Sequence, residues 1–149
     1  FKRAEGLLEN WMKQHHDKDC YPPTIINITD GEYNGVSHDE MQQLSNQLKS
    51  MFTNDGNVLL FNIHIVPGHT ESVVFPASLG ELNHNGYGEK LYNMASLLPL
   101  NYNEQIRAIF GDKQTDIRYH AMGVNTGMER LVKMMKIGTL SSMLVNNNQ

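Results

Sequence analysis

The chain contains a single cysteine, Cys20, so no internal disulfide can form and stability must come from a packed core. That scarcity favours a reducing compartment, and the cytoplasm is the expected location. Cys20 stands just before the Tyr21-Pro22-Pro23 turn with no base beside it in sequence, which reads as an inert thiol rather than a nucleophile. No apolar run is long enough to cross a bilayer, and no signal-peptide pattern is present. Positive charge is also scarce: 12 Lys and Arg against 16 Asp and Glu give a net charge of −4. Phosphate binding relies on clustered cations, so nucleic acid and anionic membrane are not expected partners. Arg130, Lys133 and Lys136 cluster only modestly and read as a solvated helix face. Finally, there is no nucleophile elbow, P-loop or glycine-rich dinucleotide fingerprint. Gly31, Gly35, Gly86 and Gly88 read as turns.

What remains is a regular alternation of helical and strand patterns in 149 residues, a length suited to one domain, with 40% hydrophobic content for its core. Ala4, Leu7, Leu8 and Trp11 form the stripe of an amphipathic helix. Thr24 to Thr29 is a short apolar strand. Ser37 followed by Glu40 makes a capping box for a helix carrying Met41, Leu44, Leu48 and Met51. Asn54-Asp55-Gly56 is a turn, and Asn57 to Val66 reads as a second buried strand. Pro67 to Glu71 is a loop, and Ser72 to Phe75, closed by Pro76, is an edge piece. Leu91, Met94, Ala95 and Leu98 mark a third helix, stopped at Pro99. Asn101 to Phe110 is helical, Ile117 to Met122 a last strand, and Asn125 a cap for a final helix carrying Met128, Leu131, Val132 and Met135. The nine methionines fall mainly on helix stripes, where core filling is their expected role. The Asn146 to Gln149 tail is expected to be disordered. This order implies an α/β fold, a mainly parallel sheet with helices on both faces.

The most informative stretch is Pro22 to Glu32, an Ile-rich strand that stops abruptly at Thr29-Asp30-Gly31. In open α/β sheets ligands gather where such strands end. The pattern resembles the von Willebrand factor A family, whose third metal-site loop follows a buried strand as hydrophobic-x-x-Thr-Asp-Gly. The resemblance extends over Phe1 to Trp11, Asp55 to Asn62 and Met94 to Pro99, and points to a bacterial, intracellular branch. It implies a three-layer Rossmann-like fold and a non-catalytic module that binds another protein through Mg²⁺, or Mn²⁺ or Ca²⁺. Asp30 would be the metal ligand, and Thr29, Gly31, Glu32 and Tyr33 would support the contact loop. An acidic residue of the partner would complete the coordination. The family's first metal loop, Asp-x-Ser-x-Ser, and its second-loop Thr are absent. Residues 1–145 are therefore expected to be the C-terminal portion of such a domain, with its N-terminal strands missing. Metal is expected only in the complete domain, and self-association through the uncovered edge is expected of this piece.

Seven histidines offer a competing reading. His15 and His16 are adjacent and point about 100° apart on a helix, which is awkward for joint ligation. His64 and His120 lie on strand patterns and could approach the ligand edge. A metal-dependent hydrolase using Asp30 with His64 or His120 is the alternative function. No His-x-x-x-His spacing supports it, and histidines satisfied by core hydrogen bonds are the simpler reading.

Overall fold

A computed structural model describes residues 1–15, 18–31, 33–66 and 71–144, the last five as backbone only. His16 and Asp17, Glu32, residues 67–70 and the tail beyond 144 lie outside the described residues. The sheet is built on three parallel strands, β1 (Thr24–Thr29), β4 (Leu59–Ile65) and β6 (Met122–Thr126), and β5 (Val73–Val74) adds antiparallel to β6. The order is β1-β4-β6-β5. A two-stranded ribbon, β2 (Phe52–Thr53) and β3 (Gly56–Asn57), precedes β4.

Among the described residues five α-helices cover the sheet: α1 (Lys2–His15), α2 (His38–Ser50), α3 (Gly86–Met94), α4 (Asn103–Phe110) and α5 (Met128–Leu144). Alternation along the strands assigns the faces. Leu59, Phe61 and Ile63 pack with Ile106 of α4 and with Leu131, Met134 and Ile137 of α5. On the opposite face, Met122 and Val124 pack with Leu91 and Met94 of α3, and Ile25 packs with Leu8 of α1 and Leu48 of α2. The result is a Rossmann-like α/β arrangement in three layers. Among the described residues no helix is long and apolar enough to cross a membrane.

Local chemistry explains the element starts. Ser37 caps α2 by accepting the Glu40 N–H at 3.2 Å, and Asn85 caps α3 by accepting the Gly88 N–H at 2.9 Å. Gly86 and Gly88, read as turn glycines in the sequence, therefore sit in the first turn of a helix.

Four other expectations are corrected. α3 ends at Met94 rather than at Pro99, because Ser96 N–H bonds to Leu60 O and Leu98 N–H to Tyr119 O, which holds the segment extended. The last strand covers Met122–Thr126 rather than 117–122. Ahead of it, the Asn103 side chain donates to the carbonyls of Thr115 and Ile117 and ties that stretch to α4 as a loop. Asn125 is not a helix cap. It lies inside β6 at φ 54°, where the register against β4 shifts, a left-handed position that Asn tolerates better than most residues. On α5 the buried stripe is Leu131, Met134 and Ile137, while Met128 (68%), Val132 (48%) and Met135 (39%) are exposed.

Candidate functional site

Because β1, β4 and β6 run parallel, their carboxyl ends meet at one edge, with Thr29 level with His64 and Ile65 level with Thr126. This is the edge at which open α/β sheets bind ligands. Asp30 follows the last residue of β1 and is exposed, with no hydrogen bond or ion pair to any described residue. Its neighbours are braced. The Thr29 hydroxyl donates to Gly31 O and accepts the Gly31 N–H at 3.2 Å, which bends the chain sharply around Asp30. The Tyr87 hydroxyl, in the first turn of α3, donates to Gly31 O at 2.9 Å. Tyr33 reaches the other way, its hydroxyl 2.7 Å from Nδ1 of His38 at the start of α2.

Tyr87 also links the loop to the neighbouring strand. The His64 ring meets the Tyr87 ring edge-to-face with centroids 5.0 Å apart, and the Thr126 hydroxyl donates to His64 O at 2.8 Å. Below this edge, Asn27 donates to Asn62 Oδ1 at 3.1 Å, and Asn62 donates to Leu91 O at 3.4 Å. A polar ladder thus runs up the α3 side of the sheet towards Asp30. The loop itself is held by the Thr29 and Tyr87 bonds to Gly31, and none of these bonds uses the Asp30 carboxylate.

Thr29, Asp30, Gly31, Tyr33 and His64 therefore gather at one edge, and Glu32 lies outside the described residues. His120 does not belong there. It precedes β6 at the amino end, where it bridges Leu97 and stacks on Tyr92 at 3.6 Å. Its level corresponds to Leu60, five residues before Ile65, or roughly 16 Å from the Asp30 edge along the strands. The pairing of Asp30 with His120 is excluded on geometry. Tyr87, His38 and Thr126 were not singled out by sequence reasoning. Asn85 was the signal that could have found Tyr87, since a cap there puts residue 87 in the first helical turn.

A divalent cation such as Mg²⁺ takes several hard oxygen ligands. Among the described residues no group of three or more His, Cys, Asp or Glu side chains is placed to hold a metal. Asp30 supplies one carboxylate, and the Thr29 hydroxyl is already engaged by Gly31. These residues do not make a metal centre by themselves. The fold and this edge define an open, mainly parallel α/β domain with Asp30 as an exposed acid at its ligand edge. No protein-family model, no curated protein and no solved structure matches the chain.

Proposed function

We propose that the chain is part of a non-catalytic, von Willebrand factor A-like module that binds another protein at the Asp30 edge. The observation that carries this reading is the contrast within one loop: Asp30 is exposed and unengaged while Thr29, Gly31 and Tyr87 hold the backbone around it. A carboxylate used only to shape its own turn would accept nearby backbone N–H groups. This one is left for a ligand. One carboxylate is too little for Mg²⁺, so the remaining ligands come from groups outside the described residues and from an acidic side chain of the partner protein. The single cysteine fits a reducing compartment such as the cytoplasm.

The test is calorimetry with Mg²⁺ and Mn²⁺ on the 149-residue chain and on a longer chain that adds the other two metal loops. The short chain is expected to bind neither ion appreciably. The longer one is expected to bind, with Asp30→Ala weakening it by at least about tenfold, or about 1.4 kcal/mol. Tight Mg²⁺ binding by the short chain, or an Asp30→Ala variant that binds as before, would overturn the reading.

A further inference from the structure

At the amino end of the sheet, remote from Asp30, a cleft of about 770 Å³ opens between the lead into β1, the β2–β3 ribbon and the segment that follows α3. That volume is ordinary for a small-molecule site. Two cations stand on its walls, Lys49 and Arg118, and neither is ion-paired with a carboxylate among the described residues. Both are fixed in place by main-chain oxygens. Lys49 Nζ donates to the carbonyls of Asn93 and Ala95 at 3.3 and 3.4 Å. Arg118 donates through Nε to Leu98 O at 3.0 Å and through Nη2 to Leu97 O at 3.1 Å, which leaves Nη1 of its exposed guanidinium unengaged. Charge held this way is preorganised rather than spent on a partner.

The same walls include two buried polar atoms that have no hydrogen-bond partner among the described residues, the Tyr21 hydroxyl and His120 Nδ1. Such orphans are rare in folded proteins and call for a partner. His120 is also stacked flat on Tyr92, with 26° between the rings, so the imidazole has a fixed orientation. Asp55 is the one carboxylate on the lining. Two uncompensated cations, a phenol and an imidazole nitrogen around one small cleft are the complement of an anionic group.

We propose that this cleft binds a small organic anion, whose carboxylate or phosphate group is taken by Arg118, Lys49, Tyr21 and His120. The site is independent of the Asp30 edge and of any metal.

Inorganic phosphate and succinate, titrated separately into the chain and followed by the imidazole resonances of His120, distinguish the two anion classes. A saturable shift with either probe is expected. Arg118→Gln and Lys49→Gln should each weaken it about tenfold, and Arg118→Lys should retain most of it. Asp55→Asn removes the like charge and should tighten binding a few-fold, a change of sign that damage to the fold would not produce. Thermal melting of each variant controls for folding. Failure of both probes to saturate, binding indifferent to Arg118→Gln and Lys49→Gln, or weaker binding by Asp55→Asn would overturn the proposal.

Discussion

His120 is half-buried against Tyr92, and its position sets its charge. Burial holds the imidazole below its ordinary value of 6.5, the nearby Pro76 carbonyl works against this, and the Lys49 and Arg118 charges add to the lowering. The folded chain therefore refuses a proton that the unfolded chain accepts between the lowered value and 6.5. Stability from the neutral ring is complete above 6.5 and is lost as pH falls from there towards the folded value. Urea unfolding from about pH 7.5 down to about pH 5 should show stability falling with pH, and His120→Gln should flatten that fall. An unchanged slope in the variant would show that the ring titrates alike in both states. The sequence drew attention to Asp30 because strand, acid and glycine are contiguous, and its place directly after β1 was readable for the same reason. It misplaced His120 because the bonds from Asn103 that turn 115–119 into a loop join residues far apart in sequence. No periodicity encodes them.

Among the elements, β1 was legible to the residue, since a short Ile-rich run between Pro23 and Asp30 has no helical alternative. Its place in the sheet was expected only indirectly, and the structure puts it at the edge: β4 pairs with one side, and no described strand pairs with the other. For an edge, β1 is unusually apolar. Ile28 is 42% exposed on the face shared with α5, and the exposed stripe of Met128, Val132 and Met135 runs along that helix. Edge strands that stay single carry charges or prolines against pairing, and β1 carries neither. Light scattering of the chain at rising concentration should therefore reveal self-association, and Ile28→Lys should reduce it. A monodisperse monomer with Ile28 in place would refute this. The elements that sequence reasoning set wrongly share a cause. Pro99 marked the end of an apolar run but not of α3, because Ser96 and Leu98 satisfy their N–H groups on the carbonyls of Leu60 and Tyr119, which are distant in sequence. On α5 the apolar stripe is wide enough to read either way, and packing against Phe61 and Ile106 chose the Leu131, Met134 and Ile137 side.

Across the whole molecule the two faces of the sheet are unequal. The α4–α5 side holds one continuous core reaching from Leu59 to Ile137. The other side is divided between a cluster under α3 and a smaller one joining α1, α2 and Ile25. The layer order and parallel sheet were readable from the alternating patterns, because each crossover is long enough for a helix. This inequality was not readable, since it depends on which sheet edge each helix covers. It has an energetic consequence. α1 buries one side chain, Leu8, and leaves Leu7 66% exposed. Its Lys2–Glu40 ion pair, at 3.1 Å between exposed groups, contributes at most about 1 kcal/mol. β4, by contrast, has five successive buried residues from Leu59 to Ile63. Regions with few buried apolar contacts open without unfolding the rest. In native-state hydrogen exchange, amides of β4 and β6 should therefore exchange only through global unfolding, while those of α1 should exchange through a local opening that costs at least about 2 kcal/mol less. A longer chain that covers the β1 edge should raise the protection of β1 while leaving that of β6 unchanged relative to global stability. If α1 amides in this chain prove as protected as those of β4, the thin packing around Leu8 is not the weak point of the molecule, and the division of the α1–α3 face into separate clusters has no thermodynamic meaning.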